Sequence, residues 1–206
     1  MKKPNLFFDF DDTIFRSWPL VVSYLNGKYN LNLKEGDFNG VTSFEDVITK
    51  HREALNLTYD EFYLDYAINF LSSMAWHEKI ELMEGAKEII PLLAKKYNLY
   101  IVTARQKISM DVINHLISKN FPDCFKEIHC IWEYVEGIGY VQVSKKDFIL
   151  GVSGEKIAFI DDSPKEVFKM EGVIPTYIFD PYGTKGEIGF PSFKNWYEIG
   201  DKFLKE

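Results

Sequence analysis

Cysteine is scarce: Cys124 and Cys130 are the two in 206 residues. Two thiols six positions apart make neither a disulfide framework nor a four-ligand zinc site, so both are expected to be reduced and packed as small apolar residues. Long apolar runs are missing too. No stretch approaches the ~20 residues that a membrane helix needs. The run 6–8, after Met1-Lys2-Lys3, stops at Asp9, short of a signal-peptide core, and the expected address is the cytoplasm. Basic charge is in deficit, with 24 Lys and Arg against 31 Asp and Glu, a net −7. That balance argues against a nucleic-acid polymer as partner. A small phosphorylated ligand stays open, because local charge decides its binding. Fixed-period repeats and low-complexity tracts are absent as well.

What the chain has is apolar mass, 46% of residues, and 16% aromatics, enough for a sizeable core. Short apolar runs at 6–8, 99–102, 128–131, 157–160 and 176–179 read as strands buried on both faces. Helical patterns lie between most of them, at 84–97, 108–119, 144–150 and 164–170. This alternation predicts an α/β fold, a doubly wound parallel sheet with right-handed crossovers. The stretch from Ile14 to about Leu82 breaks the rhythm. It holds three helical patterns, at 18–29, 44–55 and 59–75, with turns at Asn26-Gly27, Glu35-Gly36-Asp37 and Asn39-Gly40 and no strong strand. An all-helical insertion over 15–82 is expected, hinged at 14–18 and 82–85, on a core of 1–14 and 83–206. The tail, 179–206, reads as a turn-rich loop closed by a short helix from Asn195.

The chemistry concentrates at strand ends. Asp9-Phe10-Asp11-Asp12-Thr13 follows the first apolar run directly, at the end of the strand where α/β sheets bind ligands. A solvated turn capping the next helix would explain this group taken alone. A second pair, Asp161-Asp162, ends the run 157–160 in the same way. Two buried strands ending in paired acids need a cation to offset them, and oxygen ligands suit Mg²⁺. Between them a strand ends in Thr103-Ala104-Arg105, and Lys145 and Lys146 follow the strand-like 141–143. Carboxylates, a hydroxyl and a lysine on successive strand ends suit phosphoryl transfer.

These residues resemble the haloacid dehalogenase (HAD) superfamily of phosphotransferases. Its Asp-x-Asp-x-Thr motif is matched by Asp9, Asp11 and Thr13. Its strand ending in Ser or Thr is matched by Thr103, its lysine by Lys145 or Lys146, and its final acidic pair by Asp161-Asp162. All four occur in the family's order along the whole chain. The resemblance implies a Rossmann-like core, a helical cap and Mg²⁺ as cofactor. It makes Asp9 the nucleophile that forms an aspartyl-phosphate, and Asp11 the general acid/base whose backbone carbonyl also ligates the metal. Asp162 becomes a metal ligand, Asp161 a contact to the metal through water, and Thr103 with the Ala104 amide the phosphoryl-binding groups. Lys145 is preferred over Lys146, since Val143-Ser144-Lys145 is similar to the family's strand–Ser–Lys arrangement. Asp11 favours phosphatase over dehalogenase, because dehalogenases lack this second Asp. Asp12 stands where relatives often carry Gly.

Thr103-Ala104-Arg105, Asp180-Pro181-Tyr182 and Asn195-Trp196-Tyr197-Glu198-Ile199 resemble the 5′(3′)-deoxyribonucleotidase-like branch, which often has Asn where this chain has Gly183. The branch implies a nucleoside monophosphate as substrate and Arg105 as a substrate-binding group, against a plain surface charge. Sugar phosphates or other metabolites are the alternative substrates. The insertion offers Arg16, Trp18, Tyr24, Arg52, Tyr59, Tyr63, Trp76 and His77. Phe62, Tyr66 and Phe70, four apart, read as helix-packing core, and His77 as a packing or surface residue. One or two cleft-facing rings would serve to stack a nucleobase. A phospho-accepting receiver uses similar groups, but with the acidic pair first and a lone acceptor Asp mid-chain, the reverse of this order. A silent binding module has nothing in its favour, since every expected group is present.

Overall fold

A computed structural model describes residues 2–38, 49, 51, 55–135, 138–185 and 188–205. The chain runs β1 (Asn5–Phe8), β2 (Phe15–Arg16), α1 (Trp18–Tyr29), α2 (Tyr59–Tyr66), α3 (Met74–His77) and β3 (Glu81–Leu82). It continues through α4 (Ala86–Lys96), β4 (Asn98–Gln106), α5 (Met110–Asn120), β5 (Phe125–Val135) and β6 (Gly139–Gln142). Then come α6 (Lys145–Gly151), β7 (Lys156–Asp161), α7 (Pro164–Lys169), β8 (Thr176–Phe179), β9 (Ser192–Phe193) and α8 (Trp196–Leu204).

Among the described residues one sheet has the order β6-β5-β4-β1-β7-β8-β9, so the first strand lies in the middle. β1 pairs in parallel with β4 on one side and β7 on the other, Phe8 sitting opposite Ile101 and Ile160. The C-terminal ends of these three strands therefore lie side by side. Alternation along β1 sends Leu6 and Phe8 into one core with Ile90, Val112, Leu116 and Trp196. Phe7 points the other way, to Tyr100, Val102, Ile131, Ile149 and Phe159. Both faces of the sheet are covered, as expected of a doubly wound fold. Close packing on the first face has a visible demand: a Cβ on Gly200 of α8 would come within 2.8 Å of the Ile89 side chain on α4.

Three details depart from the expected elements. The run 128–131 is the middle of an eleven-residue strand, β5, which turns back into an antiparallel pairing with β6. The sheet is thus mixed at that edge. The expected helix 59–75 stops as α-helix at Tyr66 and continues as one π-helical turn, Ala67–Leu71. Its end is local: the Ser72 amide reaches back five residues to the Ala67 carbonyl, and the Ser72 hydroxyl bonds the Ile68 carbonyl at 2.7 Å. The third departure is β2–β3, an antiparallel ribbon pairing Phe15 with Leu82 and Arg16 with Glu81 where no strand was expected. The helix expected over 44–55, Arg52 and the turn at Asn39-Gly40 lie outside the described residues, apart from single positions of that helix.

Between β2 and β3 the helices have a core of their own, built from Val21, Tyr24, Leu25, Phe62, Tyr66, Phe70 and Leu71. The expected i, i+4 ladder is there, with Tyr66 and Phe70 rings 5.1 Å apart. His77 is fully buried against Phe70 and is a packing residue. Both cysteines are free thiols. Among the described residues no helix is long and apolar enough to cross a membrane.

Candidate active site

Asp9 leaves β1 with its amide bonded to the Ile160 carbonyl at 2.9 Å, which ties it to the end of β7. The chain then curls tightly. The amides of Ile14 and Phe15 both bond the Phe10 carbonyl at 3.1 Å, and the Asp12 amide bonds the Phe15 carbonyl at 2.7 Å. The curl sets Asp12 at φ +49°, in the left-handed region where Gly is easiest and Asp is tolerated. That accounts for the Gly common at this position. Asp12 Oδ1 accepts the amide of Ser17 at 3.2 Å, while its buried Oδ2 has no protein partner. From the far end of the chain, the buried Trp196 indole donates to the Thr13 carbonyl at 2.8 Å and packs on Phe8.

Of the two candidate lysines, Lys145 reaches the cluster. Ser144 caps α6 through the Asp147 amide, which turns Lys145 inward, and its ammonium lies 2.5 Å from Asp9 Oδ1 and 2.7 Å from Asp161 Oδ2. Burial works against this charge, but Asp161 and Asp9 hold the ammonium above its ordinary pKa. Lys146, next on the helix, is partly exposed. Asp161 Oδ1 accepts the Ser163 amide at 2.8 Å. Asp9, Asp161 and Asp162 can each offer one oxygen within 4.8 Å of the others. An all-oxygen carboxylate set, with the unpartnered Asp12 Oδ2 close by, fits a hard divalent cation. Thr103 lies buried three residues before the end of β4, which runs on past the expected end to Gln106, its Oγ1 accepting the Arg105 amide at 3.1 Å, and Ala104 beside it is exposed.

Arg105 is neither a surface charge nor a cation reaching for solvent. It is 3% exposed and forks onto Asp11, Nε to Oδ2 and Nη2 to Oδ1, both at 2.8 Å. The Ser17 hydroxyl donates to Asp11 Oδ1 as well. Burial alone would raise the Asp11 carboxyl, yet Arg105 and Ser17 together hold it below its usual value. Sequence reasoning missed Ser17, and it missed Lys185. The Asp180 carboxylate accepts the Thr184 and Lys185 amides at 2.9 and 3.0 Å, folding the loop after β8 so that the Lys185 ammonium lies 3.8 Å from Asp162. An Asp at a strand end followed by Pro and Gly was the available signal. Asp12, Trp18, Asp162, Phe179, Pro181, Tyr182 and Lys185 line a small cleft at this end of the sheet.

The crowding of acids has a consequence for stability. Burial pushes the Asp162 carboxyl up to about 7, with Lys185 opposing and Asp161 adding. Burial also pushes Asp9 and Asp12 well up. A carboxyl with a raised folded pKa stabilises the fold fully below about pH 4 and loses that contribution as the pH rises through the folded value. His77 works the other way: burial, with Arg105 adding, holds it down to about 4, so its contribution is lost on acidification. The two oppose each other below about pH 6.5, and above it the acidic set acts without that opposition. In EDTA the melting temperature is therefore expected to fall between about pH 6.5 and 8.5, with added Mg²⁺ raising it most at the upper end. A melting temperature that stays flat or rises over this interval would contradict the buried acidic set.

No family model matches the chain. Two Staphylococcus epidermidis proteins that carry the provisional name 5′(3′)-deoxyribonucleotidase are each 22% identical to it, over 98% of this chain and 97% or 100% of theirs. Among solved structures, a predicted phosphatase from Clostridium acetobutylicum superposes with a TM-score of 0.69 at 15% identity, covering 100% of both chains. The provisional HAD-hydrolase YfnB of Bacillus subtilis, solved with bound magnesium, gives 0.62 at 20% identity over 99% of this chain and 100% of its own. The central β1, its neighbours and the helical segment between β2 and β3 all fall within these matches, and the chain has the fold of the haloacid dehalogenase (HAD) hydrolases.

Proposed function

We propose that this chain is a Mg²⁺-dependent phosphatase of small phosphate monoesters, acting through an aspartyl-phosphate on Asp9. One observation carries it: the ends of β1 and β7 and the start of α6 bring Asp9, Asp161, Asp162 and Lys145 together, with Thr103 two residues past Ile101 on the adjoining β4. Asp9, Asp162 and the Asp11 backbone carbonyl would hold the magnesium, with Asp161 behind them. Bound there, magnesium supplies positive charge to the transferring phosphoryl group and offsets the acidic set.

An Asp9 carboxylate oxygen attacks phosphorus as the bond to the leaving oxygen breaks, and Asp11 gives that oxygen its proton. Asp11 then takes a proton from a water whose oxygen attacks phosphorus. The phosphorus–oxygen bond to Asp9 breaks, orthophosphate leaves and Asp9 is regenerated. Lys145 orients Asp9 and neutralises charge beside it. Thr103 Oγ1 already accepts the Arg105 amide, so its O–H is left to donate to a phosphoryl oxygen, next to the Ala104 amide. The helical segment, residues 15–82, serves as the cap that excludes water.

Nucleoside monophosphates are the substrate class we favour. The names of the two Staphylococcus relatives support it. So do Trp18 and Tyr182, two rings suited to stacking on a base, at the cleft beside Asp162. Purified protein is expected to hydrolyse p-nitrophenyl phosphate with Mg²⁺, to lose that activity in EDTA and to regain it with excess Mg²⁺. No release at any Mg²⁺ concentration, with a known phosphatase active alongside, would overturn the phosphatase assignment. A phosphate-release screen favouring sugar phosphates over nucleotides would overturn the substrate class alone.

A further inference from the structure

Arg105 sits in the place of a substrate ligand, two residues past Thr103, yet two of its three nitrogens are directed to Asp11, with the buried Nη1 left without a protein partner. Both oxygens of Asp11 take its fork at 2.8 Å, and its guanidinium carbon lies 4.8 Å over the Phe10 ring. It therefore grips two consecutive residues of the nucleophile loop, stacked on one and forked onto the next. Such a planar, bidentate hold fixes orientation as well as charge. We infer that Arg105 is a positioning residue that acts through Asp11, fixing the orientation of its carboxyl group, and does not hold the substrate's phosphoryl group.

The count of lone pairs shows how fully the Asp11 carboxyl is held. A carboxylate oxygen has two accepting sites. On Oδ1 the Nη2 hydrogen and the Ser17 hydroxyl fill both, whereas on Oδ2 the Nε hydrogen fills one. Arg105 and Ser17 thus occupy three of the four accepting sites of the Asp11 carboxylate, which holds it in one orientation. Phosphoryl binding does not need Arg105, since Thr103, the Ala104 amide and Lys145 supply donors of their own. Proton transfer does need a fixed carboxyl, because geometry comes before acidity in general acid–base catalysis.

This rests on the phosphatase reading above, and the test separates the two. Arg105→Gln is expected to lower kcat for p-nitrophenyl phosphate by about 10²-fold, the scale of a lost acid–base group, with KM and the inhibition constant of inorganic phosphate within about twofold of wild type. Asp11→Asn should do the same. In the double variant the second substitution should cost no further factor beyond about threefold, as for two residues acting as one unit. Arg105→Lys keeps the charge without the fork and should stay impaired. The inference is overturned if Arg105→Gln raises KM and the phosphate inhibition constant about tenfold and its effect multiplies with that of Asp11→Asn. Should Arg105→Gln fail to fold, Asp11→Asn against the double variant decides, since the paired amides are neutral: weaker phosphate inhibition in the double variant overturns the inference, equal inhibition upholds it. An inactive wild type overturns both this inference and the phosphatase reading.

Discussion

Replacing Lys145 by alanine should destabilise the protein and nearly silence it. The side chain is 3% exposed, and its ammonium is the cation placed between Asp9 and Asp161. Removing one partner of a buried ionic set leaves the others uncompensated, which typically costs about 3–5 kcal/mol. Thermal melts in EDTA would read that loss. Added Mg²⁺ should recover part of it, because a divalent cation offsets the same carboxylates. Turnover should stay about 10²–10³-fold down even with saturating Mg²⁺, the scale of losing one preorganised donor that stabilises developing negative charge. Lys146→Ala, at a partly exposed position, should move stability by less than about 0.5 kcal/mol and leave turnover near wild type. If the two lysines gave equal effects, the placement of Lys145 would be wrong.

Asp9→Asn should separate chemistry from folding in the opposite way. Asparagine keeps the shape and removes the nucleophilic oxygen, so kcat should fall by at least about 10³-fold. Stability should not fall with it. Burial, opposed by Lys145, already drives the Asp9 carboxyl well above its usual pKa, with Asp161 and Asp162 adding, so a neutral amide relieves repulsion. Lys145 keeps its bond to Asp161. The melting temperature in EDTA at pH 8 is expected to equal or exceed that of wild type, measured by circular dichroism. Retained turnover would show that Asp9 is not the nucleophile, and an unfolded variant would show that its role is structural.

The strand ends were legible in the sequence because burial of a parallel sheet writes itself as short apolar runs, and four of the five runs stop at an acid or a hydroxyl. Asp9, Thr103 and Asp161 could be placed together once the sheet was assumed to be doubly wound. The preference for Lys145 came from Ser144, whose capping role turns out to set the lysine's direction. Long-range partners were not legible. Arg105 is 94 residues from Asp11, and nothing local shows that its charge turns back onto the first loop. Lys185 sits in a loop of Pro and Gly whose fold depends on the Asp180 carboxylate, a contact that composition does not reveal. The segment 141–143 read as strand-like, but its antiparallel pairing with a longer β5 was missed because a strand that pairs at the sheet edge exposes polar residues such as Glu133 and Gln142, which interrupt an apolar run.

The most direct measurement is a covalent one. Protein turning over p-nitrophenyl phosphate with Mg²⁺ is quenched in acid, digested, and its peptides weighed. The expected result is one phosphoryl group on the peptide holding residues 6–13, labile to hydroxylamine as an acyl phosphate must be and absent from Asp9→Asn. Phosphate release with no phosphorylated peptide, or a phosphoryl group found on any residue other than Asp9, would contradict the central claim.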